Sequence, residues 1–248
     1  MRFGPPKESV PAQTPFAAVL GCADARVSPE LVFQTHLNEI FVVRVAGNVL
    51  GQECLGSLCY AVSRFATLKL VVVLAHTNCG AVTEAVDIYL QPSRYMDMAT
   101  AFSLRCIEDQ ILVAVRVAAL TVESVYGLRA TKWPGFRAAL LELAVVLNAA
   151  WSAYCLRQEL RHHFPDLEVV FGDYDLLSGH VRLPLSMPGE ITEEEQGLFI
   201  PPESAEGFRQ LACRICNGEL IRSLFVHSCP RPAQGKLPKY QWNRLFDR

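Results

Sequence analysis

The sequence predicts an α/β fold, in which helices flank a mostly parallel central β-sheet and a C-terminal extension follows. Short apolar runs at 16–20, 40–47 and 69–75 alternate with amphipathic, helix-like stretches, which is the pattern of βαβ units. The third run, KLVVVLA, is almost wholly aliphatic, as expected for a parallel strand that is covered on both faces. Chain alternation and strand composition therefore indicate the same fold class.

Each connecting segment carries helix signals. Residues 28–36 begin with Ser28 as a cap and Pro29 at the first helical position, a combination that favours a helix start. Helices are also predicted over 53–66 and 79–90. The stretch 97–163 is helical in pattern almost throughout, with a break near 132–136.

The chain divides into three parts. We expect an N-terminal arm at 1–15, an α/β domain at 16–183 with a variable helical segment at 91–135, and an extension at 184–248. The domain closes with a fourth strand and a hairpin-like return within 166–183. The extension is rich in Pro, Gly and Glu, with one helix predicted at 205–224. It could wrap the domain itself or a neighbouring subunit, or bind another protein.

Composition excludes several classes of protein. The chain has 248 residues, 51% of them apolar, and a net charge of −2, so it has no basic excess for nucleic acid or an anionic membrane surface. The N-terminus shows no apolar signal region, and charges interrupt the apolar runs before the roughly 18 residues of a membrane span. We expect a cytoplasmic protein without a membrane span.

The nine cysteines argue against a disulfide framework, because the count is odd and no signal peptide is predicted. Most of them fit the role of small buried hydrophobic residues. Three residues are different, because they stand where buried strands end: Cys22 after FAAVL, and His76 and Cys79 after LVVVL. Each alone would also fit a core position, but their joint placement favours a shared site.

Parallel strands gather their functional groups at their carboxyl ends. If the first and third strands are neighbours, Cys22, His76 and Cys79 converge there. Two thiolates and one imidazole suit Zn²⁺, and three protein ligands leave the fourth position open, which is typical of catalytic zinc. The sequence therefore predicts a zinc centre that carries chemistry.

Asp24 and Arg26 lie on the same side as Cys22 in an extended segment. Asp24 has two roles open to it: it fills the fourth zinc position in a closed state, or it pairs with Arg26 and accepts a hydrogen bond from metal-bound water. Two thiolates make the zinc a weaker acid, so we expect attack by zinc-bound hydroxide on a small electrophile, with activity rising toward alkaline pH.

Four sequence blocks, taken together, resemble the β-class carbonic anhydrases. They are the Cys-x-Asp-x-Arg motif at 22–26, FVVRVAGN at 41–48, LGSLCYAV at 55–62 and VVVLAHTNCGAV at 71–82. Segments 147–160 and 169–181 are similar to the late helix and final strand of that family, so the resemblance covers roughly 13–183.

The resemblance implies a carbonic anhydrase, a zinc lyase that reversibly hydrates carbon dioxide to bicarbonate and a proton. It assigns Cys22, His76 and Cys79 as zinc ligands and Asp24 with Arg26 as the catalytic dyad. It also implies a homodimer or homotetramer with sites at the subunit interface.

The resemblance further implies a substrate pocket. Gln13 matches an amide donor to the substrate, and Phe41, Val45 and Tyr60 match positions that line an apolar carbon dioxide pocket. Gly80 matches a glycine that lets the next helix start close to the metal.

Two other functions stay open on the same scaffold: hydrolysis of carbonyl sulfide or carbon disulfide, and a non-catalytic role as a bicarbonate-binding or scaffold protein. The extension also offers a second, structural zinc site from Cys213, Cys216, His227 and Cys229. The simpler alternative is that Cys213 and Cys216 are two small residues on one buried helix face.

Overall fold

A five-stranded sheet organises the protein. The computed structural model describes residues 10–187 and 190–226. The strands lie in the order β2-β1-β3-β4-β5, with β1–β4 parallel and β5 antiparallel to β4. Their bounds are β1 Ala17–Cys22, β2 Ile40–Val45, β3 Leu70–His76, β4 Glu168–Asp175 and β5 His180–Arg182. The predicted parallel sheet is confirmed, and the β1–β3 pairing brings two of the singled-out strand ends together.

Helices cover the sheet and carry the connections between parallel strands, as such a sheet requires. Their bounds are α1 Pro29–Val32, α2 Gln52–Arg64, α3 Gly80–Leu90, α4 Ser93–Met98, α5 Phe102–Tyr126, α6 Phe136–Leu160, α7 Ala205–Cys216 and α8 Glu219–Phe225. Short 3₁₀ turns lie at Ala46–Asn48, Leu128–Lys132 and Glu193–Glu195.

The sheet has a large and a small apolar side. The main core joins one sheet face to helices α2, α3, α5, α6, α7 and α8. A smaller cluster on the opposite face contains Val19, Val27, Val72, Leu74 and Val170. Both faces of the central strands are covered, which explains why β3 is apolar along its whole length.

Helix α6 lies at the centre of the main core. By length and composition it would pass as a membrane-spanning helix, contrary to our expectation that no apolar run is long enough. However, 72% of its most apolar 18-residue window is buried inside the fold. It packs against α5, β3 and β4, so it is the core helix of a folded domain.

Two predicted helices are shorter in the structure. The helix predicted at 28–36 ends at Val32, and Gln34 then adopts a left-handed φ of 52°, which a continuing helix does not allow. In the extension, Gly218 separates α7 from α8. A Cβ at Gly218 would lie 2.7 Å from the carbonyl oxygen of Leu185, so this close backbone approach requires glycine.

The described part of the extension packs on its own chain. The backbones of Phe171 and Phe199 exchange two hydrogen bonds of 2.8 Å. Further along, the ring of Phe208 lies 5.8 Å from that of Trp151, and the ring of Phe225 lies 4.8 Å from that of Tyr126. Residues 190–226 therefore contribute to the core of this chain, which is one of the placements that the sequence left open for the extension. Residues 227–248 lie outside the described part.

One buried carboxyl lies in this core without a hydrogen bond at one of its oxygens. Asp173 on β4 is 1% exposed, and its Oδ1 has no hydrogen-bond partner among the described residues. Burial, with a smaller contribution from the nearby carboxyl of Glu142, raises the pKa of Asp173 to about 8. By contrast, the neighbouring Asp175 carboxylate accepts two hydrogen bonds from Arg182, of 3.1 and 3.0 Å.

We predict that Asp173→Asn stabilises the protein at alkaline pH. An unfolded aspartate has a pKa near 3.9, so between about pH 4 and pH 8 only the folded state keeps this proton. The free energy of unfolding therefore falls as pH rises through that window. Removing the charge should raise this free energy at pH 8.5 by about 1–3 kcal/mol, as measured by urea unfolding.

The matched control for this prediction is Asp166→Asn, which changes an exposed aspartate just before β4 and should leave the pH dependence of unfolding unchanged. An Asp173→Asn protein whose stability at pH 8.5 equals that of the unchanged chain would show that Asp173 carries no such penalty.

Candidate metal centre

Three buried side chains meet at the carboxyl ends of the parallel strands. Cys22 ends β1, His76 ends β3, and Cys79 directly precedes α3. Their potential ligand atoms all lie within 4.8 Å of one another, and the two sulfurs are 3.9 Å apart. This is the convergence that the sequence predicted, and it arises because β1 and β3 are parallel neighbours.

The orientation of His76 fits a metal ligand. Its Nδ1 lies 3.0 Å from the carbonyl oxygen of Thr77, and since a carbonyl only accepts, Nδ1 carries the hydrogen. The lone pair therefore resides on Nε2, which is buried and has no hydrogen-bond partner among the described residues. An unpartnered imidazole nitrogen beside two cysteine sulfurs is a donor set that suits zinc.

The two thiols influence each other strongly. A hydrogen bond with Cys79 lowers the pKa of Cys22, with smaller contributions from His76 and from the backbone at Asp24 and Gly47. The same hydrogen bond, burial and the charge on Cys22 raise the pKa of Cys79. The protein alone thus favours one thiolate in the pair, and a divalent cation would stabilise the second.

Asp24 is held beside this cluster by Arg26. The guanidinium donates from Nε to Oδ1 at 2.9 Å and from Nη2 to Oδ2 at 2.7 Å. This pairing keeps the pKa of Asp24 far below its usual range. Oδ2 also lies 3.8 Å from Nε2 of His76. Of the two roles that the sequence left open for Asp24, the structure shows the one in which it pairs with Arg26.

Arg26 also links the two motif loops, because its Nη2 donates to the carbonyl oxygen of Asn78 at 3.2 Å. Asn78 has a φ of 55°, a left-handed conformation that asparagine tolerates. This turn brings Cys79 back toward the end of β1.

Arg44 is a site residue that the sequence analysis missed. It lies on β2 and donates from Nε to the carbonyl oxygen of Cys22 at 3.0 Å and from Nη2 to that of Asp24 at 2.6 Å. It therefore fixes the backbone that carries the motif. The available signal was an arginine inside the otherwise apolar strand IFVVRV.

A tight turn after β2 contacts one of the sulfurs. The backbone N–H of Gly47 donates to Sγ of Cys22 at 3.3 Å. Gly47 has a φ of 67°, and a Cβ there would lie 2.7 Å from Cδ1 of Ile111 and 3.2 Å from Cβ of Ala81. Conformation and space both restrict this position to glycine.

The predicted pocket residues are placed at two ends of the sheet. Val45 pairs with Cys22 and so lies at the centre, whereas Phe41 pairs with Ala18 near the amino end of the strands. The ring of Phe41 is 6.0 Å from that of Phe65.

Gln13 and Tyr60 also lie away from the metal centre. Tyr60 is 53% exposed, and its ring is 6.1 Å from the ring of Phe65. Gln13 is exposed and precedes the start of β1 by four residues. Within one chain the structure therefore does not bring Gln13, Phe41 or Tyr60 to Cys22, because these three lie toward the amino ends of the parallel strands and Cys22 lies at a carboxyl end.

Two other predictions have mixed outcomes. Gly80 starts α3 as expected, but a Cβ there would meet no atom within 4 Å, so packing within the chain does not require glycine.

Of the proposed second zinc site, Cys216 is fully buried in the apolar core and Cys213 lies half-buried one turn earlier on α7. His227 and Cys229 lie outside the described residues.

Comparison with known proteins agrees with this geometry. Residues 17–116 match the family model of carbonic anhydrases. Over 74 residues the chain is 47% identical to carbonic anhydrase 2 of Mycobacterium tuberculosis, which covers 30% of this chain and 35% of that protein. Over 71 residues it is 49% identical to a carbonic anhydrase of Mycolicibacterium smegmatis, covering 29% and 34%. The matched stretch thus spans about a third of these relatives.

Solved structures show the same fold over a longer stretch. A tetrameric β-carbonic anhydrase of Sordaria macrospora superposes with a TM-score of 0.52 at 17% identity, covering 69% of this chain and 81% of that one. A Coccomyxa β-carbonic anhydrase gives 0.51 at 22% identity, covering 69% and 72%. Residues 17–116 are therefore similar to the carbonic anhydrase family in sequence, and the chain shares the fold of the β-carbonic anhydrases.

Proposed function

We propose that this protein is a zinc-dependent carbonic anhydrase that interconverts carbon dioxide and bicarbonate. The observation that carries the proposal is the meeting of the buried side chains of Cys22, His76 and Cys79, whose potential ligand atoms lie within 4.8 Å of one another, with Nε2 of His76 3.8 Å from the Asp24 carboxylate. The sequence matches support the same reaction, since the matched relatives are named carbonic anhydrases.

Cys22, His76 and Cys79 would hold the zinc. Bound zinc would supply Lewis acidity, which makes water a nucleophile near neutral pH. The two sulfurs would neutralise the ion formally, so the protein must provide a further group that accepts the proton or its hydrogen bond. Asp24 is an acidic group beside this cluster, with Oδ2 3.8 Å from Nε2 of His76, and its side chain is 16% exposed, so solvent reaches it.

Arg26 determines what Asp24 does. Its two hydrogen bonds keep Asp24 ionised throughout the neutral range and point both carboxylate oxygens at the guanidinium. This pairing holds Asp24 back from the position of a metal ligand. Its Oδ2 still lies close enough to the three ligand residues to accept a hydrogen bond from a group bound there. We infer that Arg26 positions this acceptor and that Asp24 is the catalytic carboxylate.

We also propose that the active form is a homo-oligomer whose sites are completed between chains. Gln13, Phe41 and Tyr60 lie toward the amino ends of the parallel strands, away from Cys22 of the same chain. Strand β2 is an edge strand, and an edge with free backbone groups is a surface on which a second copy can pair. The Sordaria macrospora neighbour is described as tetrameric, which supports this reading.

The thiols support a reducing location. The eight cysteines of the described part of the chain are all free, and thiolate ligands persist where disulfides do not form. We therefore propose that the protein works in the cytoplasm.

Stopped-flow measurement of carbon dioxide hydration tests the activity. We predict rapid turnover by the zinc-loaded protein, lost on chelation and restored by zinc. Asp24→Asn should lower turnover about 100-fold or more, because the acceptor charge is removed, while zinc content stays at the level of the unchanged chain. The matched control is Asp166→Asn, at the opposite edge of the sheet. Turnover by Asp24→Asn within threefold of the unchanged protein would contradict the role of Asp24.

Removing a ligand should remove metal and activity together. We predict that Cys79→Ala purifies without zinc and without carbon dioxide hydration, since two remaining ligands do not hold zinc in a tetrahedral site. Cys59→Ala, which changes a half-buried cysteine of α2, should keep both. Inductively coupled plasma mass spectrometry measures the metal. Full zinc content in Cys79→Ala would rule out the assigned ligand set.

Mixing two inactive variants tests the shared site. We predict that Cys79→Ala and Tyr60→Ala chains, co-refolded or co-expressed, recover activity that neither parent shows, because a mixed dimer pairs an intact metal centre with an intact Tyr60. Each variant expressed alone serves as the control. Failure to recover activity in a mixed dimer that is verified by mass spectrometry would show that Tyr60 does not act across the interface.

A further inference from the structure

We propose that Asn148 is a positioning residue for the Cys22 sulfur and that it acts through the Gly47 peptide. Asn148 lies in the middle of the core helix α6, far from the motif in sequence. The inference rests on the proposed zinc function, because it concerns how one of the three proposed ligands is held.

The contacts form a continuous path from α6 to the sulfur. Nδ2 of Asn148 donates to the carbonyl oxygen of Gly47 at 2.7 Å, and the N–H of the same Gly47 donates to Sγ of Cys22 at 3.3 Å. Asn148 is 2% exposed. Both hydrogen bonds are therefore shielded from water, where such bonds are stronger than at the surface.

Asn148 has a strong reason to be an amide. The carbonyl of Gly47 is buried, and a buried carbonyl that lacks a donor destabilises the folded chain. The amide of Asn148 reaches this carbonyl from the middle of α6 and supplies the donor. The hydrogen bond to the Gly47 carbonyl therefore explains why a buried position in the middle of α6 is an asparagine.

The path leaves the Gly47 peptide little freedom. Ile111 from α5 and Ala81 from α3 close in on its Cα, while Asn148 fixes its carbonyl from the third side. With the carbonyl held, the N–H of Gly47 stays aimed at Cys22. The hydrogen bond from the Gly47 amide therefore fixes where Sγ of Cys22 lies relative to the other two proposed ligands.

Removing a group that orients a metal ligand typically lowers the metal affinity 10- to 100-fold. We therefore expect Asn148→Ala to weaken cobalt and zinc binding about 10-fold or more. It should also shift the sulfur-to-cobalt charge-transfer absorption and move the Gly47 amide proton upfield in ¹⁵N–¹H spectra. The control is Ser152→Ala, a buried polar residue one turn further along α6, which should alter none of these signals.

Asn148→Asp is the second variant, because it keeps the side-chain size but, when ionised, turns the donor into an acceptor. It should weaken metal binding as Asn148→Ala does. In the unchanged protein loaded with ¹¹³Cd, we expect scalar coupling between the metal and the Gly47 amide proton, transmitted through the N–H···S bond. Both readouts are independent of turnover, so a protein that binds metal without hydrating carbon dioxide would refute the proposed function and leave this inference standing.

Three results would overturn the proposal. The first is metal affinity within twofold of the unchanged protein in whichever of the two variants folds. The second is an unshifted cobalt absorption together with an unshifted Gly47 amide signal in that variant. The third, which needs no variant, is the absence of ¹¹³Cd coupling at the Gly47 amide.

Discussion

The parallel pairing of β1 with β3 is the constraint on which the centre depends. It aligns the ends of two strands that lie some fifty residues apart in sequence, and so it brings the Cys22 sulfur and the His76 imidazole into the same buried space. The Asn78 turn then adds Cys79 from the loop that follows β3. A change of register in this pair by one residue would reverse the side to which each side chain points, and the three groups would not meet.

Most of the hydrogen bonds that hold the three groups in place involve a backbone atom. The Thr77 carbonyl selects the imidazole tautomer, the Gly47 amide contacts the Cys22 sulfur, and Arg44 fixes the carbonyls of Cys22 and Asp24. Asp24 is the exception, because a charged side chain holds it in place. The centre therefore combines a rigid ligand set with one carboxylate whose position is determined by its ion pair with Arg26.

Much of this was predictable from sequence for a physical reason. Strand runs, helix alternation and the residues that end β1 and β3 are local patterns, and parallel topology then determines that Cys22, His76 and Cys79 meet. Arg44 and Asn148 were not predicted, because their roles depend on which distant backbone atoms they reach. The placement of Gln13, Phe41 and Tyr60 away from Cys22 within one chain also escaped prediction, since family resemblance assigns a role to a residue but does not give its distance from Cys22 in the folded chain. The break at Gly218 depends on a contact with Leu185 that no local pattern encodes.

X-ray absorption spectroscopy of the zinc-loaded protein tests the central claim most directly, because it reports the atoms bound to the metal without reference to activity. The account predicts one zinc per chain, with two sulfurs near 2.3 Å and at least one nitrogen near 2.0–2.1 Å. A zinc shell made only of nitrogen and oxygen, or a folded protein that binds no zinc at all, would contradict the assignment of Cys22, His76 and Cys79 as the metal centre.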